Sequence, residues 1–384
     1  ALEDGEMAIS YQGSGLAGGG TSALNVKTDP VPCVFFLLAA GNEDVLTDPN
    51  SILNRLPQFR NRFEYGGIIY MNNDMPDTPY NRMKVAQFIA DESERFKHLP
   101  FTVDAVLEVI EYLKRRADWK GRLSLGLRYA LGLLQDSSNL ARRDGKKEVT
   151  ADYVKLAMVI RKPVEVKKLE SEHEKLKEIK RVKVVGAEVG RINGLAVIKS
   201  QSSEEGIGEV MTVKAMVRKV KEGTGDLIIT GVSKTPEHDT MIEESLVLVR
   251  SAILKKYGID LARDTFTHID FVQSHEVDGP SAGISILLAI ESCLENIPLR
   301  QDIAVTGKIE IIDELPNSVF VSAIGGVFEK VEAAERMGMR VVIIPSDNFK
   351  THPISDRLDQ YKIKILYADN DSDYLEMLRA VSDE

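Results

Sequence analysis

The sequence predicts an α+β domain over residues 185–384, preceded by a helical domain and, before that, by a short α/β segment. Residues 76–162 carry apolar side chains at three- and four-residue spacing, which is typical of packed helices. Near residue 183 this spacing gives way to the alternation of half-buried strands, which marks a domain boundary. Beyond it, strand and helix patterns are mixed, as in an α+β domain.

Residues 1–75 form the predicted α/β segment. Residues 10–25 are rich in Gly and Ser and predict a mobile loop, but no Gly-Lys-Ser/Thr motif follows them, so they are not a phosphate loop. The apolar run 32–40 predicts a buried parallel strand. Open α/β sheets place polar working groups where such strands end, and Asn42 stands at that point.

The predicted helical domain starts at a capping sequence. Asp77 or Thr78 can cap a helix, and Pro79 suits the first helical position. The apolar spacing predicts helices over residues 81–96, 102–117, 123–143 and 150–159. Residues 163–184 are dense in Lys and Glu and predict an exposed connecting helix with a hinge.

The predicted α+β domain contains both element types in irregular order. Strands are predicted over residues 182–198, 209–220, 226–232, 267–273, 303–312 (a strand or a hairpin) and 340–345. Helices are predicted over residues 237–257, 281–294, 327–337 and 373–380.

Ser281 is presented in the manner of a nucleophile. It lies between a Gly-Pro turn and a glycine, directly before an apolar helical run, where unpaired amides at the helix start suit an oxyanion. A serine needs a base, and His275 is the nearby histidine, while Lys330 lies in the first turn of a later helix. Burial and the positive end of a helix would both favour a neutral lysine. Asp278 could tune that lysine or cap the serine helix.

Four motifs in order and in register resemble the proteolytic domain of the Lon proteases. They are Asp-Gly-Pro-Ser-Ala-Gly (278–283), Thr-Gly-Lys-Ile (306–309), Gly-Gly-Val-Phe-Glu-Lys (325–330) and Val-Val-Ile-Ile-Pro (341–345). The resemblance implies a Ser-Lys dyad of Ser281 as nucleophile and Lys330 as general base, supported by Thr306. In this reading the amides near Ser281 and Ala282 hold the oxyanion, and the chain is a serine endopeptidase.

The resemblance also implies a biological setting. The expected substrates are unfolded or misfolded polypeptides, degraded inside a homo-oligomeric ring, expected to be a hexamer, in cytoplasmic protein quality control. The alternative is a non-catalytic, chaperone-like assembly that holds unfolded chains. The serine motif follows the bacterial pattern, whereas residues 30–82 look like archaeal, membrane-anchored members, which leaves membrane association of the parent open. The segment 313–322 is longer than in typical members.

Residues 1–162 resemble the back half of a AAA+ ATPase module. Asn42 matches a sensor residue, and residues 56–63 match an arginine-finger segment, with Arg62 favoured over Arg60. Arg128 matches the second sensor, with Arg122 the weaker candidate. The motifs that bind phosphate and magnesium would precede Ala1, so we expect no ATPase activity from this chain and ATP-Mg only in a longer parent. A cut fragment and an ATP-independent Lon-like branch both fit this pattern.

Composition excludes several other classes of function. A net charge of −10 argues against broad nucleic-acid binding. No apolar run is long enough to span a bilayer, so no membrane segment is predicted. Cys33 and Cys293 are expected to be free, reduced thiols, and the six scattered histidines predict no structural metal.

Overall fold

The computed structural model describes most of the chain from residue 67 onward and scattered positions before it. The described residues are 6–7, 10–13, 24–27, 29, 31–32, 40–41, 51–55, 57, 60–61, 67–164, 166–168, 170–171, 175, 182–199, 206–231, 236–272, 280–312, 315 and 317–379. The chain forms two compact units, Ala1–Met71 and Asn72–Glu384.

The first unit contains short antiparallel pairs. Its elements are β1 (Glu6–Met7), β2 (Ser10–Gly13), β3 (Leu24–Lys27), β4 (Val31–Pro32) and α1 (Ile52–Arg55). The pairing of β2 with β3 corrects the loop predicted over residues 10–25, because both ends of that segment form strands. The pairing of β4 with β1 is antiparallel, whereas a parallel strand was expected to start there. Residues 33–39 of the predicted strand lie outside the described residues.

The second unit begins with the helical domain. Its elements are β5 (Asp74–Pro76), α2 (Pro79–Arg95), α3 (Val103–Ala117), β6 (Arg122–Ser124), α4 (Leu127–Arg143) and α5 (Ala151–Arg161). Thr78 caps α2, since its hydroxyl accepts a hydrogen bond from Asn81 N at 3.2 Å, while Asp77 pairs with Arg82 instead. The helix predicted to start at residue 123 starts later, because Arg122–Ser124 pairs with β5.

A seven-stranded mixed sheet is the centre of the α+β domain. The strands of the domain are β7 (Ala187–Glu188), β8 (Arg191–Lys199), β9 (Gly206–Lys219), β10 (Asp226–Thr230), β11 (Thr265–Phe271), β12 (Leu299–Arg300), β13 (Ile303–Val305), β14 (Lys308–Glu310), β15 (Phe320–Ser322), β16 (Val341–Pro345) and β17 (Lys364–Ala368). The sheet order is β10-β11-β9-β8-β13-β16-β17. Strands β8, β13, β16 and β17 run parallel, and β9 is antiparallel to both of its neighbours.

Among the described residues of this domain, the α-helices are α6 (Pro236–Tyr257), α7 (Gly283–Glu295), α8 (Val327–Met337), α9 (Ser346–Thr351) and α10 (Asp371–Leu378). Successive residues of β9 face opposite sides of the sheet, as strand geometry requires. Met211 belongs to the buried cluster that contains α7, and Val210 belongs to the cluster that contains α8. Helix α7, which follows Ser281, and helix α8, which carries Lys330, therefore pack on opposite faces of one sheet.

The structure departs from the predicted elements mainly at short strands. Residues 303–312, predicted as a strand or a hairpin, form two strands, β13 and β14, which do not pair with each other. Strand β14 pairs instead with the more distant β15, and β17 was not predicted. Helix α7 is preceded by a 3₁₀ turn at Pro280–Ala282, whose last two residues the predicted helix had included. Within the described ranges, no helix is both long and apolar enough to cross a membrane.

Candidate active site

Lys330 is buried in the first turn of α8. The helix begins at Val327 after a cap at Gly326, whose φ of 64° suits glycine. The Lys330 side chain is only 3% exposed, since it lies among the apolar residues that pack α8 against the sheet. Burial lowers the pKa of Lys330 to about 7, although the nearby Glu329 and Asp118 carboxylates oppose the shift. The amine is therefore largely neutral just above neutral pH.

Thr306 contacts this lysine directly. It follows β13, is fully buried, and donates its backbone N–H to Ile343 O at 3.2 Å. Lys330 Nζ donates to Thr306 Oγ1 at 3.1 Å, and Thr306 Oγ1 donates to Leu195 O at 3.4 Å. A hydroxyl has one proton, and because a carbonyl can only accept, that proton serves the bond to Leu195 O and the threonine accepts from the lysine. The lone pair of a neutral Lys330 stays available to another proton donor.

Ser281 is tied by its backbone to the residue after Thr306. Gly307 N donates to Ser281 O at 3.2 Å, and Ile284 N donates to Gly307 O at 3.4 Å. Ser281 is half-buried in the 3₁₀ turn, and the buried Ala282 is the cap of α7. The first amides of a helix have no partner in an earlier turn, so this position suits a developing anion.

The structure thus joins Lys330 directly to Thr306 and connects Ser281 to them through Gly307. Asp278 and His275 lie outside the described residues. Among the residues that the structure describes, no group of three His, Cys, Asp or Glu side chains could hold a metal ion.

Two glycines permit close backbone approach around the site. A Cβ on Gly208 of β9 would overlap the Glu329 carbonyl oxygen, next to Lys330. A Cβ on Gly307 would overlap Val321 Cγ1 and lie 3.3 Å from the Tyr374 hydroxyl. Sequence reasoning missed Gly208 and found Gly307 only as a member of the Thr-Gly-Lys-Ile motif, because only contacts between distant segments show why a side chain cannot fit there.

The helical domain contacts α8 beside the buried lysine. Arg115, in the last turn of α3, forms an ion pair with Glu332 at 2.8 Å, and its guanidinium lies 4.7 Å from the centre of the Phe328 ring. Asp118 Oδ1 lies 2.7 Å from His352 Nε2, and the His352 ring packs on Phe328 at 4.6 Å. Residues of the helical domain and of the α+β domain therefore both contact the helix that carries Lys330.

The expected nucleotide sensors are only partly described. Arg128 is exposed in the first turn of α4, and it has no hydrogen bond or ion pair with any of the described residues. Arg122 donates to Asp74 Oδ1 at 2.6 Å. Arg60 donates a hydrogen bond to Asn54 Oδ1. Asn42 and Arg62 lie outside the described residues, so the structure does not choose between Arg60 and Arg62.

The proteolytic fold and its four motifs define a class. Residues 165–378 match the family model described as the Lon protease (S16) C-terminal proteolytic domain, so the chain belongs to the Lon protease family. Residues 100–162 match the model of the archaeal LonB AAA+ ATPase lid domain. The predicted family is confirmed, and the helical domain is a AAA+ lid.

Relatives of this family share sequence along most of the chain. Proteins named archaeal Lon protease are 38% identical over 95% of this chain in Pyrococcus abyssi, 40% over 86% in Thermococcus kodakarensis, and 38% over 91% in Archaeoglobus fulgidus. The aligned region is 34%, 49% and 52% of those proteins, respectively. The chain therefore spans a third to about half of the length of these relatives.

Proposed function

We propose that this chain is a serine endopeptidase in which Ser281 is the nucleophile and Lys330 the general base. The observation that carries the proposal is the buried Lys330 amine, whose pKa falls to about 7 and which donates to a threonine that cannot donate back. A base works best when its pKa lies near the working pH. A protein that only held unfolded chains would gain nothing from burying a lysine at this cost.

The mechanism is acyl transfer. Neutral Lys330 takes the proton of Ser281 Oγ as the oxygen attacks a peptide carbonyl, and amides near Ser281 and Ala282 stabilise the oxyanion. The lysine then gives its proton to the leaving amine, and the C–N bond breaks. The acyl group remains on Ser281 as an ester. In the second half, Lys330 takes a proton from water, and the hydroxide attacks the ester. The ester bond to Ser281 Oγ breaks, and Lys330 returns the proton to this oxygen. The carboxylic acid product is released, and both residues return to their starting states.

The substrate class follows from the family to which the chain belongs. We infer that unfolded or misfolded polypeptides are cleaved inside a homo-oligomeric ring, with six subunits the expected number, in cytoplasmic protein degradation. Residues 1–75 would belong to the nucleotide-binding part of a AAA+ module. Arg128 is the supported sensor in the lid, because Arg122 is already paired with Asp74. ATP-Mg binding would need the preceding part of a longer parent protein.

The test is cleavage of a fluorescently labelled unfolded protein by the wild type, Ser281→Ala and Lys330→Arg, each with and without ATP-Mg. Ser251→Ala is the matched control, since it removes an exposed serine hydroxyl from α6. We expect both site variants to lose cleavage and the control to keep it. Cleavage retained by Ser281→Ala would contradict the assignment. A wild type that binds the substrate and leaves it intact would support a holding assembly instead.

A further inference from the structure

Tyr374 lies outside the four motifs and reaches their centre. It belongs to α10, is fully buried, and donates its hydroxyl to Thr306 O at 2.9 Å. Burial raises the pKa of this phenol well above 10, so it remains a donor at all ordinary pH values. Thr306 therefore accepts two hydrogen bonds, one from Lys330 at its hydroxyl and one from Tyr374 at its carbonyl.

The bonded peptide group joins both halves of the proposed dyad. The carbonyl of Thr306 accepts from Tyr374, and the amide of the same peptide group, Gly307 N, donates to Ser281 O at 3.2 Å. Because a peptide group is planar and rigid, a rotation that frees one end also moves the other. Fixing the Thr306 carbonyl therefore orients the bond to Ser281 at the same time.

Helix α10 is itself anchored to the serine helix. Lys256 Nζ lies 2.6 Å from Asp371 Oδ2 at the start of α10 and 2.7 Å from Glu291 Oε1 in α7. Both carboxylate side chains are fully buried, and Asp371 also accepts from Val319 N at 2.8 Å. Separating α10 from α7 would break this buried network and leave charges without compensation, which is strongly destabilising. The network therefore fixes the position of α10 relative to α7.

The packing leaves little room for the peptide to shift. A Cβ at Gly307 would meet Val321 on one side and the Tyr374 hydroxyl at 3.3 Å. Val321 and the Tyr374 hydroxyl therefore occupy the space that a side chain at residue 307 would need.

We propose that Tyr374 is a positioning residue for the peptidase reaction, which holds the Thr306–Gly307 peptide so that Lys330 and Ser281 keep their mutual orientation. The inference rests on the proposed Ser281–Lys330 dyad. Tyr374 touches no reacting atom and acts through Thr306 and Gly307.

Tyr374→Phe tests the proposal, and Tyr367→Phe is its matched control. The Tyr367 hydroxyl is buried and has no hydrogen-bond partner among the described residues, so its removal costs no bond. Each variant keeps the ring and loses one oxygen atom. We would measure kcat and KM for peptide cleavage, and the rate at which a fluorophosphonate labels Ser281 from pH 5 to pH 10. All measurements are made at a temperature below the midpoint of thermal unfolding of each variant.

For Tyr374→Phe we expect kcat and the labelling rate to fall roughly ten-fold, the worth of one well-placed hydrogen bond, with KM little changed. The midpoint of the labelling profile should move upward, because a loosened site admits water to Lys330. Tyr367→Phe should match the wild type in kcat, KM, labelling rate and midpoint. A Tyr374→Phe enzyme with the wild-type rate and midpoint would overturn the proposal.

Hydrogen exchange separates this inference from the proposed function. In Tyr374→Phe, amides over residues 303–310 should exchange faster than in Tyr367→Phe, whether or not any substrate is cleaved. Unchanged exchange there would overturn the positioning role. Cleavage or labelling that survives in Ser281→Ala would instead overturn the dyad, and the exchange result would still report what Tyr374 holds.

Discussion

Lys330 Nζ donates to Thr306 Oγ1 at 3.1 Å, and both side chains are buried. The threonine proton is directed at Leu195 O, so the threonine cannot compete for the lone pair of a neutral lysine. Among the described residues, a protonated Lys330 has Thr306 as its one side-chain acceptor, which is too little to offset the loss of water around a charge. The geometry therefore favours the form of lysine that a general base requires.

The rate of acylation of Ser281 should increase with pH through a midpoint near 7. Below this pH, Lys330 is protonated and cannot take the serine proton, and above it the amine is neutral. Time courses of fluorophosphonate labelling, quenched at set times at each pH from 5 to 10, measure this dependence of the rate on pH. Lys330→Arg, which stays charged, should be inactive throughout. A rate that falls as pH rises through 7 would be the wrong sign for this base.

Lys330→Met should stabilise the fold. The folded-state pKa of about 7 is below the ordinary value, so the unfolded chain binds the extra proton between pH 7 and about 10.4. Stability of the wild type should therefore increase across this window, and the advantage of the Met variant should shrink there. Below pH 7 the advantage is on the order of 4 kcal/mol. Denaturant unfolding at pH 6.5 and pH 9.5 measures it, and equal advantages at both pH values would contradict a depressed pKa.

Thr306→Val should lower activity about 100-fold, because the lysine loses the acceptor that orients it. The buried Lys330 amine and Leu195 carbonyl would lose a partner, which costs about 1–3 kcal/mol. Thr306→Ser keeps the hydroxyl and serves as the control. Cleavage rates and thermal unfolding of both variants check this, and equal rates for Val and Ser would show that the hydroxyl has no role.

Gly208→Ala should impair the site through the backbone of α8. Its Cβ would overlap the Glu329 carbonyl, so α8 must move away from β9 and take Lys330 with it. We expect the free energy of unfolding to fall by about 1–3 kcal/mol and the variant to lose most of its cleavage activity. Gly325→Ala is the control, since nothing lies within 4 Å of its added Cβ. Activity assays and unfolding curves for the pair measure the effect, and similar curves for both would contradict the close approach.

The lid contact with α8 can be tested by exchanging charges. Arg115→Glu or Glu332→Arg alone should weaken the contact, and the double exchange should restore part of it. Both side chains are about one-third exposed, so the coupling should be only about 0.2–1 kcal/mol. A double-mutant cycle on unfolding and on cleavage measures it. Additive effects of the two single changes would show that the pair does not couple the lid to the Lys330 helix.

Local sequence determined several elements closely. Helix α8 begins and ends where its apolar spacing predicted, and α2 is capped by Thr78, one of the two residues that the sequence offered as caps. The order of four motifs was enough to indicate the family, and it singled out Ser281, Lys330 and Thr306 before any geometry was known. These features depend on neighbouring residues, whose spacing can be read directly from the chain.

Tertiary structure decided what the spacing could not. Only the fold brings Lys330 beside Thr306, places Gly208 against Glu329, and directs Tyr374 at the Thr306 carbonyl across 68 residues. The short strand at Arg122–Ser124 forms because a distant segment offers backbone partners, which overrides local helical spacing. The low pKa of Lys330 is likewise a property of the packed sheet and helices, because burial is its main cause.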